Sequence, residues 1–543
     1  MTLANKAWWQ SAVIYQIYPR SFKDSNGDGV GDLQGIIDQL DYLKGGEHSL
    51  DVDAIWISPI YPSPMADFGY DVANYMDIDP TFGDLATFDR LLEKAHERGL
   101  RVILDFVPNH TSDEHPWFVE SRSSRDNPKR DWYIWRDAQS DGSLPNNWVS
   151  MFGGKAWTWD AHTEQYYLHL FHYKQPDLNW RNLEVRNAMK DVLRFWLERG
   201  VDGFRMDVVG FIIKDEALPD NPLSSPDVDA SALNEWGQLE HMYDIDQPGV
   251  HEIIREFRTL HDKHGAVAIG ETWTEPRSRW VEYYGENLDG LHLPFNFDLL
   301  VKPWDAQVFR QSVDELEAAL QAGMWPNYVL GNHDRPRLAT RYGEDKAPVA
   351  AMLLLTLRGT PTLYLGDEIG MVDGKIPADK IQDPQGLNLG ADMSRDPCRT
   401  PLQWSDEDYA GFSSVEPWLP VSEDYVTRNI KAELADPRSL LNLYRQLIQL
   451  RKAHEVLQTG HYKAIETSES SCFAYERFDD QGNRLLIVLN FSSEPMSPQL
   501  EISQASGEVI LSTLMDQSGD IKLDAIQLRP TEGLIIKLAT HSS

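Results

Sequence analysis

Eight short apolar runs, separated by segments with helical period, limit what this chain can fold into. They are AVIYQIYP (12–19), DAIWISP (53–59), RVILDFVPN (101–109), DGFRMDVV (202–209), AVAIGE (266–271), LHLPFNF (291–297), NYVLGNHD (327–334) and PTLYLGDE (361–368). Most end in a polar or charged residue or in proline. The spacing predicts a helix over 84–98, where Leu85, Phe88, Leu92 and Ala95 share a face, Asp84 caps the start and Gly99 follows the end. A second helix is predicted over 184–199, with Val185, Met189, Val192 and Trp196 as its stripe and Gly200 after it. Eight strands alternating with helices describe an α/β fold, the (β/α)8 TIM barrel. An open doubly wound sheet is the alternative, but no GxGxxG fingerprint supports it.

Two regions interrupt the alternation. Residues 108–180 follow the third strand and are too long for a simple loop. Their Trp117, Trp132, Trp135, Trp148, Trp157 and Trp159 lie among Gly, Asn and Asp, as expected of a small inserted subdomain. Residues 211–250 follow the fourth strand, are rich in Asp, Glu and Pro, and read as a lid. The barrel is thus expected over 1–107 and 181–457. After a helix over 438–453 the pattern turns to strands alone, LLIVLNF (485–491), GEVILST (507–513) and GLIIKLA (533–539). Residues 458–543 are expected to form a C-terminal antiparallel β-sandwich.

Composition removes several classes of function. With 50 basic and 85 acidic residues the net charge is −35, which repels a phosphate backbone and an anionic membrane alike. Nucleic acid and membrane are therefore not expected partners. The two cysteines, Cys398 and Cys472, imply no disulfide framework. The first residues, MTLANKAWWQ, show no apolar signal segment, so a soluble cytoplasmic protein is expected. Aromatic residues make up 11% of the chain, including 18 Trp, which suits flat surfaces for sugar rings but also large cores.

The chemistry is expected where barrel sites lie, at the C-terminal ends of the strands. Asp105 ends the third run, with Asn109 and His110 beyond it. Arg205 and Asp207 end the fourth, Glu271 the fifth, and His333 and Asp334 the seventh. In VDGFRMDVVG (201–210), strand alternation puts Phe204, Met206 and Val208 on one side and Arg205 with Asp207 on the other. Two carboxyl groups cut a glycosidic bond, one as nucleophile or base and one as acid. Arg205 is expected to hold the Asp207 carboxyl down, and burial with like charge to raise that of Glu271.

The segments DFVPNH (105–110), GFRMD (203–207), GE (270–271) and NHD (332–334) resemble the conserved regions of the α-amylase superfamily of glycoside hydrolases, across nearly the whole chain. WWQSAVIYQIYPRSF near the start and QPDLNW (175–180) resemble its α-glucosidase and oligo-1,6-glucosidase branch. The resemblance implies Asp207 as nucleophile and Glu271 as acid/base. It implies Asp334 as the grip on the sugar 2- and 3-hydroxyls, His110 and His333 as hydrogen-bond donors to the first glucose, and Arg205 as the group that orients Asp207. It implies retention of configuration, with carboxyls about 5–5.5 Å apart. In similar exo-acting enzymes the acid at Asp67 pairs with the arginine at Arg399 to close the pocket, and Tyr70 stacks on the terminal glucose.

The loop DSNGDGVGD (24–32) begins like an EF-hand but has Gly35 where the twelfth-position Glu belongs. Similar α-glucosidases bind structural Ca²⁺ or Mg²⁺ there through Asp24, Asn26, Asp28, Asp32 and the Val30 carbonyl; the alternative is a metal-free Asx-rich turn. Val208, after the nucleophile, accompanies α-1,6 specificity in the family, whereas YPSPMADFGYD and LPNNW resemble broader maltose-cutting enzymes. Expected substrates are therefore small α-glucosides and oligosaccharides of open linkage, acted on by a monomer or homodimer. A glucosyltransferase or isomerase, a phosphorylase, and a non-catalytic transporter-ectodomain homologue are the alternatives. His172, His241 and His292 are candidates for the pocket lining.

Overall fold

In a computed structural model describing residues 6–224 and 234–539, each apolar run contains a strand of one parallel sheet. These are β1 (Ile14–Ile17), β2 (Ala54–Ile57), β3 (Arg101–Phe106), β4 (Gly203–Met206), β5 (Val267–Gly270), β6 (Leu293–Pro294), β7 (Asn327–Val329) and β8 (Thr360–Tyr364). Their order is β7-β8-β1-β2-β3-β4-β5-β6. The remaining seam, between β6 and β7, is joined by a parallel bridge from Asn296 to Tyr328. Strand β6 is short, and Pro294 at its end has no N–H to offer a ladder. The barrel is therefore nearly closed.

Strands buried on both faces need no polar alternation, which is why the runs are continuously apolar. Ala54 and Trp56 of β2, Ile103 of β3, and Val267 and Ile269 of β5 fill the barrel interior. Their neighbours Ile55, Ile57, Val102, Leu104 and Ala268 face the surrounding helices. Strand β4 departs from this pattern. Phe204 and Met206 join the outer core, and Arg205 lies buried between them in sequence at 2% exposure. Val208 does not continue that face as alternation predicts. The strand ends at Met206, Val208 turns to φ 35°, ψ 45°, and its side chain joins a separate core with Trp148, Phe171 and Phe211.

Helix α1 (Leu85–Glu97) starts where expected, with the Asp84 carboxylate accepting the Thr87 N–H, and buries Phe88, Leu91, Leu92 and Ala95. Helix α2 (Leu183–Arg199) buries Val185, Met189, Val192 and Trp196 and ends at Gly200. Gly200 adopts φ 108°, a left-handed conformation that costs a residue with a Cβ. Helix α3 (Ala347–Thr356) is almost entirely apolar and buried at every residue but Pro348, because it packs between α-helices of the barrel region and the C-terminal sheet. Truncating Leu353 there would cost about 2–5 kcal/mol, as for other large-to-small core changes. Helix α4 (Leu440–Ala453), capped by Ser439, closes the barrel region.

Within 108–180 lie a helix (Pro116–Ser123) and a three-stranded antiparallel sheet, Trp135–Arg136, Gln165–Leu168 and Trp157–Asp160, with Gln165–Leu168 central. Trp180 ties the end of this segment to its beginning, donating to the Pro108 carbonyl at 2.7 Å. In the lid region 211–250, residues 225–233 lie outside the described residues. The rest packs Phe211, Leu218 and Trp236 against the aromatic core of the insertion.

The C-terminal strands are β9 (His461–Ile465), β10 (Cys472–Phe478), β11 (Arg484–Asn490), β12 (Ser506–Ser512), β13 (Gly519–Lys522) and β14 (Gly533–Leu538). They form one antiparallel sheet ordered β9-β10-β11-β14-β12-β13. Phe473, Tyr475, Leu485 and Ile487 share the core of the barrel helices. Ala474, Leu486, Val488 and Ile536 face the other way, under Leu523, Ile526 and Leu528. Irregular segments and isolated bridges, rather than a second regular sheet, supply that outer layer among the described residues.

Candidate active site

One guanidinium organises the acidic strand ends. Arg205 projects from β4 and its Nη1 donates to Asp105 Oδ1 at 2.9 Å and to Asp207 Oδ1 at 2.8 Å. Its Nη2 donates to Glu271 Oε2, and the face of Trp56 lies 5.0 Å away. Asp207 and Glu271, from neighbouring strands, thus occupy the two outer nitrogens of one planar fork. Asp105 is fully buried and accepts further hydrogen bonds from Tyr70 Oη (3.0 Å) and Trp56 Nε1 (3.2 Å).

The electrostatics differ from expectation at Asp207. Burial pushes its carboxyl well above the usual range, Arg205 opposes this, and Glu271, Asp105 and Asp334 add to the rise. One cation is shared by three acids, so it aims Asp207 without holding it down. Asp334 behaves oppositely. Burial alone would raise it, but His333, Arg395 and Arg399 together bring it well below the ordinary range. His110 and His333 are both pushed down to about 3, chiefly by burial, and are therefore neutral.

The pairing predicted between Asp67 and Arg399 is replaced by another. Asp67 Oδ1 lies 2.7 Å from Arg395 Nη2, and its Oδ2 accepts from Gln175 at 3.1 Å. Arg399 instead reaches Asp334 Oδ1 at 2.9 Å and the His333 carbonyl at 2.8 Å. Asp383, fully buried, holds Arg395 from behind at 2.6 Å. The two arginines stand four residues apart in SRDPCRT, and nothing in a stretch without periodic pattern says which of them reaches Asp67. Tyr70 packs flat against His333, with ring centroids 5.4 Å apart, and its hydroxyl lies 2.8 Å from His333 Nε2.

These groups surround a cavity of about 560 Å³, lined by Asp67, Tyr70, His110, Asp207, Glu271 and Asp334, with His333 and Arg395 beside them. Arg205 and Arg399 stand behind this lining. The insertion contributes Phe152 and Phe171, and the lid region Phe211, Trp236 and His241. His172 and His292 do not line it; His292 pairs with Asp262 at 3.2 Å. Sequence reasoning missed Arg395, Asp383, Gln175 and Trp273. Gln175 lay within QPDLNW, and Trp273 stands two residues after Glu271, so proximity to the motifs was the only available signal.

The loop 24–32 is shaped by its own carboxylates. Asp24 accepts from the N–H groups of Asn26, Gly27 and Gly29 and from Ser413 Oγ. The Asn26 side-chain oxygen accepts the Asp28 N–H, and Asp28 the Val30 N–H. Asp32 turns to Ser25 and to the Gly35 N–H of the following helix. The donors are all oxygen, which suits a hard cation, although no cluster of three His, Cys, Asp or Glu poised for a metal occurs among the described residues.

A (β/α)8 barrel with an insertion after its third strand, and with strand-end acids around one buried arginine, defines a class of glycosidic-bond enzymes. The chain belongs to the α-amylase family, whose catalytic-domain model matches residues 16–460. It is 42% identical to a probable alpha-glucosidase of Rhizobium meliloti (strain 1021), over 96% of each chain. It is 40% identical to an oligo-1,6-glucosidase of Parageobacillus thermoglucosidasius, over 98% of this chain and 99% of that one. The solved structure of an alpha-glucosyl transfer enzyme superposes with a TM-score of 0.92 at 41% identity, covering 98% of this chain and all of its own.

Proposed function

We propose that this glycoside hydrolase is an exo-acting, retaining α-glucosidase that releases terminal non-reducing glucose from short α-1,4- or α-1,6-linked oligosaccharides and α-glucosides. The observation that carries the reading is the single guanidinium holding both Asp207 and Glu271. Two carboxyls on one fork can address one anomeric centre. Asp207 attacks C1 while Glu271 gives its proton to the departing oxygen, so the C1–O bond breaks as a β-glucosyl ester forms. Water then attacks C1, Glu271 takes its proton, and Asp207 leaves. Asp334, kept ionised by two arginines, grips the 2- and 3-hydroxyls, and neutral His110 and His333 donate to the same glucose. The Asp67–Arg395 pair closes the pocket behind the non-reducing end.

A product time course on maltose, isomaltose, sucrose and a long α-glucan tests this, with the anomer of released glucose followed by NMR. Early release of α-glucose alone supports it. Rapid internal cleavage of the glucan, or β-glucose as first product, overturns it.

A second reading, glucosyl transfer to a sugar acceptor, is favoured by the likeness to an alpha-glucosyl transfer enzyme. The half-exposed Trp273 stacked on Phe297 at the cavity offers an acceptor a flat apolar face. In the 24–32 loop a structural Ca²⁺ or Mg²⁺ would be held by Asp24, Asn26, Asp28, Asp32 and the Val30 carbonyl, far from any bond-making step. Both cysteines are free and buried, and no helix of the described residues is long and apolar enough to cross a membrane.

A further inference from the structure

We propose that Gln175 is a positioning residue for the closed end of the pocket, holding Asp67 and His110 in one arrangement through a single amide nitrogen. The inference rests on the reading of Asp67 as the group behind the non-reducing end. Gln175 opens the QPDLNW segment, which runs antiparallel beside the stretch that carries His110. The Asp113 N–H donates to the Lys174 carbonyl at 2.8 Å, the Thr111 N–H to the Pro176 carbonyl at 3.3 Å, and the Leu178 N–H to the Asn109 carbonyl at 2.9 Å. This pairing sets the Gln175 side chain beside His110. Gln175 is fully buried and stands outside the cavity lining, so it reaches a bound sugar only through its neighbours.

Both ends of its amide are fixed. Oε1 accepts the His172 N–H at 2.9 Å, and the Gln175 N–H returns to the His172 carbonyl at 2.7 Å. Nε2 donates to Asp67 Oδ2 at 3.1 Å and lies 3.1 Å from His110 Nε2. A backbone N–H only donates and an ionised carboxylate only accepts, so a flipped amide would oppose like groups at both contacts. Asp67 is thus held from two sides. Gln175, from the insertion, takes Oδ2, and Arg395 Nη2, from the segment after β8, takes Oδ1 at 2.7 Å. Two donors, one on each oxygen, set the plane of the carboxylate.

Exchanging the two roles tests this. Gln175→Glu keeps the shape of the side chain but sets an acceptor against Asp67. Asp67→Asn sets a nitrogen against either Gln175 or Arg395. In the double variant the new amide at position 67 donates to the new carboxylate at position 175, its oxygen still accepts from Arg395, and the cluster keeps its charge. Rates on maltose are counted per folded protein, measured by near-UV circular dichroism. Gln175→Glu should lower kcat/KM by roughly a hundredfold, the scale of a lost hydrogen bond with like charges face to face. Asp67→Asn should lower it as well. The double variant should exceed Gln175→Glu by at least about tenfold, the size of coupling between groups in contact. Accumulated structural damage would instead leave it below both single variants. A double variant no better than Gln175→Glu, or a Gln175→Glu within about twofold of the parent, would overturn the assignment. If a variant carrying Gln175→Glu does not fold, Gln175→Met decides, because it removes the donor without adding charge. It should raise KM by about tenfold with kcat within about threefold, as for an interaction kept equally in the bound and transition states; an unchanged KM overturns the assignment. Asp67→Asn also separates the two readings. If it is as active as the parent, the role of Asp67 at the pocket end and that of Gln175 fall together. If it is impaired and the exchange gives no rescue, only the role of Gln175 falls.

Discussion

Arg395, and not Arg399, holds Asp67: the two side chains meet at 2.7 Å, both nearly buried. The same guanidinium reaches Asp383 at 2.6 Å and Asp334 at 3.3 Å. It therefore ties Asp67 to Asp334 across the cavity.

Arg395→Met should leave Asp67 as an uncompensated buried charge and Asp383 with only Arg399, 3.9 Å away. Breaking such a pair costs about 3–5 kcal/mol of stability, and kcat/KM on maltose should fall by at least about a hundredfold, mostly through KM. Arg399→Met keeps the Asp67–Arg395 pair and should act more on kcat, through Asp334. Steady-state kinetics with thermal unfolding check this. A silent Arg395→Met would remove the arginine from the site.

The pH profile carries a second prediction. Asp207 is raised well above its ordinary 3.8 by burial and neighbouring acids, and Asp105 is raised to about 6, again mainly by burial. A nucleophile must lose its proton, so activity rises with pH as this cluster ionises. The acid limb of kcat/KM belongs to the cluster and should lie above 3.8. Asp334 works the other way: its folded value is lowered, so its stabilising contribution is complete above 3.8 and is lost only as pH falls below that. A limb at or below 3.8 would contradict this picture.

Asp24 organises its loop through three backbone N–H groups and Ser413 at 5% exposure. Asp24→Ala should cost about 2–4 kcal/mol, as for a carboxylate with several hydrogen bonds, and lower Tm by several degrees. If a divalent cation sits there, chelation should lower Tm in the parent and do nothing further in the variant. An unchanged Tm after chelation would mean the hydrogen bonds alone hold the turn.

The barrel was legible because its strands are buried on both faces, so each is a continuous apolar run ended by a polar residue. Asp105, Asp207, Glu271 and Asp334 were legible for the same reason, as acids placed where such runs stop. What lay beyond pattern was irregular. Arg395 and Asp383 sit among short turns between β8 and α4, where no period indicates direction. The turn at Val208 follows from a strand that stops one residue before Asp207, which alternation cannot reveal. The burial that raises Asp207 depends on side chains from several strands and on the insertion, whereas the sequence shows only its neighbour Arg205.

Asp207→Asn keeps the size of the side chain and removes the proposed nucleophile. Turnover should fall by at least about ten-thousandfold, the scale of losing a group the reaction cannot do without, with the unfolding transition close to that of the parent. Activity within tenfold of the parent would refute the assignment.

The most direct measurement is mass spectrometry of Glu271→Gln mixed with an activated aryl α-glucoside. Without its acid/base the enzyme can still be glucosylated by a good leaving group but cannot activate water to release the sugar. The account predicts one glucosyl unit accumulating on the peptide that carries Asp207. A label on any other residue, or none while the aglycone is released, would contradict it.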